Sequence, residues 1–342
     1  MSSPIAKPLA LTIGDPAGIG PDITLLAFCA RHRERLPPFI FLGDRLTLED
    51  RASQLGLSLH IETVTRPIEA IELFAEALPV LSVPLPSPVR AGSPEQGAMP
   101  TVISSIDAAV EMVKSGEASA VVTNPISKSH LYKAGFKFPG HTEYLAALAE
   151  KNGQVPHPVM MLAAGILKVI PTTIHVPLKD VPGALTSELL AKTIAITDHD
   201  MRRWFGLARP RIAVSGLNPH AGEEGNLGRE EVDMIRSAIV AAQHAGIDVS
   251  GPYPADTLFH AASRKRYDVA ICMYHDQALR PFKTLAFEEG VNVTLGLPFV
   301  RTSPDHGTAF DIAGTGRANP TSLIEALRLA DRMSAQTAPA SA

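Results

Sequence analysis

Short apolar runs alternate along this chain with longer segments in which apolar residues recur at helical spacing. The runs that predict strands are Leu9–Ile13, Phe39–Leu42, Ala120–Thr123, Leu167–Ile170, Arg211–Val214, Val269–Met273 and Val291–Leu295. Helices are predicted from about Asp22, over Arg45–Leu55 and Met99–Val113, from Thr186 or Ser187 to Trp204, over Arg229–Ala245, and from Pro320 to Met333. Strands that alternate with helices are typical of parallel sheets covered by helices. We therefore expect an α/β fold with mainly parallel strands.

Two parts of the chain are harder to assign. Between His60 and Arg90, prolines cut the sequence into short pieces, and no element is predicted there. Gly251–Thr257 carries glycine and proline in close succession, so it is predicted to be a loop that bears Asp256.

The size and composition of the chain limit its possible functions. Its 342 residues allow two domains, because single hydrophobic cores stop growing near ~250–300 residues. The formal net charge is −4 without a long basic run, so nucleic acid is not an expected partner. Cys29 and Cys272 lie far apart in apolar surroundings, which argues against a disulfide framework and fits a reducing compartment. With no signal-peptide pattern and no apolar run near the ~18 residues of a membrane span, we expect a cytoplasmic protein without a membrane partner.

Polar residues follow several of the predicted strands directly. Val269–Met273 leads into Tyr274-His-Asp-Gln277, and Ala120–Thr123 leads into Asn124-Pro-Ile-Ser-Lys128. Open α/β sheets bind their ligands outside the carboxyl edge of the strands, so these clusters are candidate sites. Gly14–Pro21 has glycines spaced unlike a dinucleotide fingerprint or a P-loop. A structural tight turn and a ligand-binding turn both remain open there.

Three histidines share one setting. His175, His220 and His275 each follow an apolar run and have Pro or Tyr and small polar residues around them. Strand ends that are distant in sequence can converge, and three neutral imidazoles with an open position form a divalent-metal site suited to catalysis. For each histidine alone, a hydrogen-bonded loop residue is the alternative. Zinc or cobalt suits three nitrogen ligands better than magnesium does.

Several side chains suit a small anionic ligand. His141 and Thr142 stand at the start of a predicted helix, where backbone N–H groups favour a phosphate or a carboxylate. Helix capping alone is the alternative. Lys283, Asn292 and Arg301 fall in one later stretch, and a doubly charged small substrate would need such donors. Each of these three is otherwise a solvated charge or a turn residue.

These motifs together resemble those of one family, the 4-hydroxythreonine-4-phosphate dehydrogenases of pyridoxal 5′-phosphate biosynthesis. The resemblance covers nearly the whole chain, in order, and is carried by Gly14-Asp-Pro-Ala-Gly-Ile-Gly-Pro21, Gly140-His-Thr-Glu143, Asn218-Pro-His-Ala-Gly-Glu223, Pro254-Ala-Asp-Thr257, Met273-Tyr-His-Asp-Gln277 and Asn292-Val-Thr-Leu-Gly-Leu-Pro-Phe-Val-Arg-Thr-Ser303. One departure is Ala278, which follows His-Asp-Gln where many relatives have glycine.

The resemblance implies an isopropylmalate dehydrogenase-like fold of two α/β/α domains with the active-site cleft between them. Residues 1–135 with 305–342 would form the nucleotide side, and residues 136–304 the metal and dimer side. Because the family is dimeric, a homodimer with the active site at the subunit interface is expected.

The resemblance also implies roles for individual residues. One divalent metal per active site, zinc, cobalt or magnesium, would be held by His175, His220 and His275. The substrate would contact His141, Thr142, Lys283, Asn292 and Arg301. The segment from His306 to Pro320 resembles the adenine-side NAD loop of isocitrate and isopropylmalate dehydrogenases. That likeness indicates the NAD- or NADP-binding residues His306, Gly307, Asp311, Gly314, Gly316 and Asn319.

The reaction that the resemblance implies is the NAD-dependent oxidation of 4-phosphohydroxy-L-threonine at C3. The β-keto acid product would lose CO₂ to give 3-amino-2-oxopropyl phosphate. Candidates for the group that takes the hydroxyl proton are Lys283, Asp256 and Asp276. The alternatives are a dehydrogenase for a four-carbon phosphosugar acid such as erythronate or threonate 4-phosphate, an acyl- or phosphotransferase, and a non-catalytic binding protein.

Overall fold

The structure is a computed structural model that describes residues 6–138 and 140–336. The β-strands in this part of the chain are β1 (Leu9–Thr12), β2 (Phe39–Gly43), β3 (His60–Val64), β4 (Ala77–Ser82), β5 (Val121–Val122), β6 (Val159–Ala164), β7 (Leu167–Thr173), β8 (Ile212–Ser215), β9 (Val249–Tyr253), β10 (Val269–Tyr274), β11 (Val291–Leu295) and β12 (Arg301–Pro304). The α-helices are α1 (Gly20–Glu34), α2 (Arg45–Gln54), α3 (Glu69–Leu73), α4 (Met99–Lys114), α5 (Lys128–Lys133), α6 (His141–Leu148), α7 (Val181–Ala184), α8 (Ser187–Phe205), α9 (Arg236–His244), α10 (Ala255–Leu258), α11 (Ala261–Arg264), α12 (His275–Ala286) and α13 (Thr321–Ala335).

The chain forms two compact units. Unit 1 comprises Met1–His157 with Leu297–Ala342, and unit 2 comprises Pro158–Gly296. The sequence prediction placed the two boundaries after residues 135 and 304 instead.

Unit 1 is built on strands in the order β3-β4-β2-β1-β5-β12, and every neighbouring pair is parallel. From β1 the chain first adds β2, β3 and β4 on one side and later adds β5 on the other. The strand order therefore reverses between β1 and β5, and such a reversal opens a crevice at the carboxyl edge of the sheet. The polar stretches that follow β1, β5 and β12 all start at this edge.

The core of unit 1 depends on the helical spacing of apolar residues in α4. Met99, Val102 and Ile106 are buried on one face of this helix. They join one apolar cluster with Ala10 of β1 and Ile40 of β2. Burial of side chains of this size stabilises the fold by about 1.5–3 kcal/mol each, so α4 is fixed firmly over β1 and β2.

Unit 2 has the strand order β11-β6-β7-β10-β8-β9. The pairs from β7 to β9 are parallel, whereas β6 pairs antiparallel with both β11 and β7. Ala278 and Phe282 of α12 are buried in one cluster with Val169, Ala270 and Cys272, so this helix packs directly on the central strands. The predicted α/β fold with mainly parallel strands is confirmed.

The longest helix of unit 2 shows why its bounds were predictable. The Thr186 hydroxyl accepts a hydrogen bond from the Leu189 N–H at 3.0 Å, which satisfies one of the free donors at the start of α8. Gly206 ends the helix with φ +68°, in the left-handed region that glycine adopts without steric cost.

One sequence prediction was wrong, and another gave the extent of a helix but not the type of its first turn. The predicted loop Gly251–Thr257 contains the end of β9 and the helix α10. Pro252 fits in β9 because this strand has only one partner in unit 2, and a proline lacks an N–H for a second. The helix predicted from Arg229 starts instead as a π-helical segment, Glu231–Ile235, and continues as α9.

Among the residues described, no helix combines the length and the apolar content that crossing a membrane requires.

Candidate active-site residues

Three adjacent strands of unit 2 deliver the three predicted metal ligands to one edge of the sheet. The parallel strands β7, β10 and β8 are neighbours, with β10 in the middle. His175 follows β7, His275 follows β10 directly, and His220 lies in the polar segment after β8. Neighbouring strands are about 4.8 Å apart, so the topology places the three segments side by side at the carboxyl edge.

His175 and His275 face each other across this edge. Their ring centroids are 5.4 Å apart, with 41° between the ring planes. Both rings line a cavity of about 360 Å³, whose other lining residues include Thr173, Tyr274 and Arg280. Two imidazoles that share a cavity suit a divalent metal of the zinc or cobalt type.

Asp276 orients one of these two rings. Its Oδ1 lies 2.8 Å from His275 Nδ1, and its Oδ2 lies 3.2 Å from Arg280 Nε. The hydrogen bond with His275, helped by Arg280, lowers the pKa of the exposed Asp276 carboxyl. When Nδ1 donates to a carboxylate, Nε2 is left with a lone pair, and this is the arrangement found behind metal-bound histidines.

His220 stands on an unusual turn. Five consecutive residues, from His220 to Glu224, have positive φ between +40° and +78°, and only Gly222 among them is a glycine. Left-handed backbone costs about 1–2 kcal/mol for each residue that has a Cβ. The surrounding structure must therefore hold this turn in place, as is common at functional sites.

His220 does not join the other two imidazoles within a single chain. In the ranges 6–138 and 140–336, no group of three or more His, Cys, Asp or Glu side chains is arranged to hold a metal ion. The His175–His275 pair is thus the part of the predicted metal site that one chain assembles.

Gln277 ties the ends of β8 and β10 together, a role that the sequence did not reveal. Its Oε1 accepts hydrogen bonds from the Met273 N–H at 2.7 Å and the Ser215 hydroxyl at 2.8 Å. Its Nε2 donates to the Gly216 carbonyl at 2.8 Å. The strand ends that lead to His275 and His220 are therefore fixed relative to each other.

The other predicted residues of unit 2 are spread more widely. Lys283 lies on α12 seven residues after Asp276, which puts both on the same helix face, and its Nζ is 5.2 Å from the Phe287 ring centroid. Asp256 is exposed on α10, directly after β9. The register of the paired strands β11, β6, β7 and β10 aligns Asn292 with Ala270. Since Ala270 is five residues before His275, Asn292 lies roughly 16 Å from His275 along the strand direction. Unit 2 by itself does not bring Asn292 to the histidines.

Unit 1 holds a second group of predicted residues, centred on Arg301. This arginine is 3% exposed. Its Nη2 donates to the Thr123 hydroxyl at 2.6 Å and lies 3.5 Å from His141 Nδ1. Burial lowers the pKa of Arg301 to about 10, although the nearby Glu143 raises it. Burial lowers the pKa of His141 well below 6.5, and the positive charges of Arg301 and Lys128 lower it further. This imidazole is therefore neutral at pH 7.

The start of α6 adds further donors beside Arg301. His141 and Thr142 are the first two residues of this helix, whose N-terminal N–H groups attract anions. A Cβ placed on Gly140 would lie 3.3 Å from Lys128 Nζ, so the ammonium group stands next to the helix start. His141 Nε2 is buried and has no hydrogen-bond partner within the described ranges. This cluster suits a phosphate or carboxylate, and Lys128 is a member that the sequence did not single out as a ligand.

The glycine-rich turn after β1 packs against the segment after β12. The Ile19 N–H donates to the Thr308 carbonyl at 2.9 Å, and a Cβ on Gly18 would lie 2.8 Å from the same oxygen. Asp22 joins the two segments from α1, because its Oδ1 accepts from the Gly314 N–H at 2.7 Å. Arg51 pairs with the same carboxylate and donates to the Gly18 carbonyl at 3.0 Å. The turn Gly14–Pro21 therefore has a structural role, because the close packing against Thr308 leaves no space for a Cβ at Gly18.

The predicted nucleotide-binding residues lie along this second segment. His306, Gly307 and Asp311 are partly or fully exposed. Gly314 and Gly316 have φ of +72° and +77°. The Asn319 Oδ1 accepts from the Thr321 N–H at 3.0 Å and the Thr321 hydroxyl at 2.7 Å, so it also caps the start of α13.

Two buried acceptors lie beside these segments. Asp15 Oδ2 and Asn124 Oδ1, at the ends of β1 and β5, have no hydrogen-bond donor among the residues described. Burial raises the pKa of Asp15, an effect that the Ala17 N–H and His130 oppose. A ligand with hydroxyl or amide N–H groups, as a nicotinamide nucleotide has, would satisfy them.

A mainly parallel α/β chain with paired imidazoles after two of its strands and a buried arginine at the start of another has the features typical of enzymes that act on small anionic substrates. The sequence profile of a family described as "Pyridoxal phosphate biosynthetic protein PdxA" matches residues 34–330. The chain belongs to this family, and it is an oxidoreductase. The resemblance stated from the motifs is confirmed, and the transferase alternative is not supported.

Individual relatives agree with this assignment. A protein of Bradyrhizobium diazoefficiens named 4-hydroxythreonine-4-phosphate dehydrogenase is 55% identical over 343 residues, covering 98% of this chain and 99% of that protein. A Xanthobacter autotrophicus protein of the same name is 57% identical over 327 residues, covering 95% and 93%. The crystal structure of 4-hydroxythreonine-4-phosphate dehydrogenase from Klebsiella pneumoniae superposes with a TM-score of 0.86 at 36% identity, covering 96% of this chain and 100% of that one.

Proposed function

We propose that this enzyme oxidises 4-phosphohydroxy-L-threonine at C3, with NAD or NADP as the hydride acceptor and a divalent metal. The C3 carbonyl lies β to the carboxylate, so the product loses CO₂ and becomes 3-amino-2-oxopropyl phosphate. The reaction belongs to pyridoxal 5′-phosphate biosynthesis. The observation that carries the proposal is the His175–His275 pair, with ring centroids 5.4 Å apart, in a chain whose relatives bear this enzyme's name.

The donor set fits a metal. His175 and His275 would supply two nitrogen ligands, and Asp276 already holds the second ring by its Nδ1 at 2.8 Å. In a homodimer, His220 of a second copy would supply the third. A divalent cation bound there would act as a Lewis acid toward the substrate's C3 hydroxyl.

The residues at the crevice of unit 1 fit a nicotinamide nucleotide. Asp15 Oδ2 and Asn124 Oδ1 are buried acceptors that call for donors, and the ribose hydroxyls or the carboxamide N–H groups supply them. The segment from His306 to Asn319 adds two glycines with positive φ, of which Gly316 is exposed and Gly314 is partly exposed. The oxidised nicotinamide would accept the hydride from C3.

The chain's own residues bind and orient the substrate. Arg301, Lys128 and the N–H groups at His141 and Thr142 would neutralise the phosphate, and this fixes the position of C3. His141 is neutral in the free protein, so it can accept or donate a hydrogen bond to the anion.

We propose that either Lys283 or Asp256 takes the proton of the substrate's C3 hydroxyl. Asp276 already accepts a hydrogen bond from His275 and pairs with Arg280, so it is engaged in orienting the ring. Lys283 and Asp256 are therefore the candidates to compare, by the pH dependence of kcat/KM in Lys283→Met and Asp256→Asn.

NADH or NADPH absorbance tests the proposed reaction directly. With 4-phosphohydroxy-L-threonine, we expect turnover that stops on addition of a chelator and returns with Zn²⁺ or Co²⁺. His220→Ala should abolish turnover with the fold retained, whereas His244→Ala, an exposed histidine at the end of α9, should not change it. Near-normal turnover of His220→Ala would remove this residue from the metal site.

The same assay distinguishes the four-carbon phosphosugar acids. Erythronate 4-phosphate and threonate 4-phosphate carry the phosphate but lack the amine. A kcat/KM for either one above that for 4-phosphohydroxy-L-threonine would replace the proposed substrate and leave the dehydrogenase chemistry standing.

A further inference from the structure

The turn that carries His220 needs an outside support. A run of left-handed residues, His220 to Glu224, is not stable by itself, because four of the five have a Cβ that crowds the neighbouring carbonyl. Within the turn, backbone hydrogen bonds run from the Ala221 N–H to the Asn218 carbonyl at 3.1 Å and from the Leu227 N–H to the Gly222 carbonyl at 3.0 Å. Neither bond fixes the direction in which the turn leaves β8.

Glu231 supplies that support from inside the unit. Its side chain is fully buried, at 0% exposure. Oε1 accepts from the Leu217 N–H at 2.7 Å and from the Asn218 N–H at 2.8 Å. Oε2 accepts from Asn218 Nδ2 at 3.0 Å. The carboxylate thus binds three N–H groups of the two residues that connect β8 to the turn.

Glycines allow the carboxylate to come this close. A Cβ on Gly222 would lie 2.5 Å from Oε2, and a Cβ on Gly216 would lie 2.9 Å from Oε1. A Cβ on Gly228 would collide with the Asn218 side chain. The segment therefore packs closely around the buried Glu231 side chain.

We infer that Glu231 is a positioning residue that holds the His220 turn in its left-handed form and so fixes the direction of the His220 imidazole. The effect of Glu231 on metal binding rests on the proposed function, whereas its effect on the backbone of the His220 turn can be tested without that function. A buried carboxylate with three N–H donors is held more strongly than a neutral acceptor would be.

The substitution that tests this inference is Glu231→Gln. Glutamine keeps the size but has one oxygen, so its NH₂ group must face either the two backbone N–H groups or Asn218 Nδ2. Glu230→Gln is the matched control, because Glu230 Oε2 accepts from Asn218 Nδ2 at 2.7 Å and from no backbone N–H of the described residues, and its side chain is partly exposed. Glu231→Asp keeps both oxygens but withdraws them by one methylene, and it serves if the glutamine variant fails to fold.

Hydrogen exchange read by mass spectrometry measures the support without any metal. We expect the Leu217 and Asn218 amides to exchange at least tenfold faster in Glu231→Gln, with an intermediate effect in Glu231→Asp and less than a threefold effect in Glu230→Gln. Unchanged exchange in a folded Glu231 variant would overturn the inference.

Cobalt binding measures the consequence for the imidazole. Titration of the dimeric protein with Co²⁺, followed by visible absorbance, should show a 10- to 100-fold weaker affinity in Glu231→Gln, the usual loss when a residue behind a ligand is changed. Faster exchange with wild-type Co²⁺ affinity would overturn the role in directing His220. If the wild-type protein binds no Co²⁺, the proposed metal centre fails, and the exchange rates alone decide whether Glu231 holds the turn.

Discussion

At the scale of single residues, the cluster around Arg301 combines a buried guanidinium with an exposed lysine, Lys128. The guanidinium is 3% exposed, and Lys128 adds a second positive charge beside His141. Burial is the main reason that the pKa of His141 lies well below 6.5, and the positive charges of Arg301 and Lys128 lower it further. The cluster is thus arranged to accept a negative ligand.

Phosphate binding should therefore be coupled to proton uptake at His141. A bound phosphate favours the charged imidazole, so the pKa of His141 is higher in the complex than in the free protein. Between those two pKa values the complex takes up a proton, and affinity rises as the pH falls. The exposed Glu143 is present in both the free protein and the phosphate complex, so it does not reverse the sign of this pH dependence.

Isothermal titration with inorganic phosphate at pH 6, in buffers with different ionisation enthalpies, counts these protons. We expect positive uptake in the wild-type protein and less in His141→Asn. Because phosphate itself titrates in the same range, the difference between the two proteins is the result that counts. An equal proton number in both would show that His141 keeps its charge state on binding.

At the scale of elements, the end of β10 is fixed by one side chain. Gln277 bonds to Met273, Ser215 and Gly216 and is 9% exposed. Its amide satisfies groups on two strands at once, so removal would leave several buried polar groups unpaired.

Gln277→Ala should lower the free energy of unfolding by about 2–4 kcal/mol, since each unsatisfied buried group costs roughly 1–3 kcal/mol. Urea unfolding measures this change. Gln243→Ala is the matched control at the end of α9, because Gln243 is exposed and, among the residues described, its Nε2 donates only to the Val249 carbonyl. A similar loss in both variants would mean that Gln277 contributes no more than an exposed amide.

Apolar periodicity predicted most of the elements that hold these residues. β1, β2, α4 and α8 were all recognised, because the apolar residues of each element face the core of its own unit and the ends carry Gly, Pro or Thr signals. β3 and β4 were not predicted. β3 has three exposed residues out of five, and Pro79 stands inside β4, so neither shows an apolar run or a clean alternation.

The sequence predicted which types of residue follow the strands, but it did not predict which of these residues lie close together in the candidate site. His175 and His275 come together because β7 and β10 are neighbours, a fact that no local pattern contains. Gln277 and Glu231 act through atoms that are distant in sequence from the groups they bind, so a single sequence could not reveal their partners. Lys128 meets Gly140 only in the folded chain.

At the scale of the whole molecule, each unit has its own core and its own set of polar residues. Unit 1 holds the cluster around Arg301 and the segments joined by Asp22, and unit 2 holds the His175–His275 pair. Units with separate cores can unfold in separate steps.

Asp22→Ala should destabilise unit 1 selectively. Arg51 is 3% exposed, and loss of its carboxylate partner leaves a buried charge, at a cost of about 3–5 kcal/mol. The single tryptophan, Trp204, is buried in α8 of unit 2, so its fluorescence reports on that unit alone. We expect the far-UV circular dichroism transition in urea to shift or split while the Trp204 transition stays in place.

Glu49→Ala provides the comparison on α2, because the Arg45–Glu49 pair is exposed and such pairs contribute less than about 1 kcal/mol. Equal shifts of both signals in Asp22→Ala would mean that the two units unfold as one.

The placement of the two cysteines has a practical consequence. Cys272 is buried in β10, and burial raises the pKa of its thiol to about 12. Cys29 is exposed on α1, although desolvation raises the pKa of this thiol as well. A maleimide dye at neutral pH would therefore attach to one position per chain without any mutation. Energy transfer after mixing donor-labelled and acceptor-labelled protein would then test, in real time and in the native sequence, whether chains associate and exchange partners.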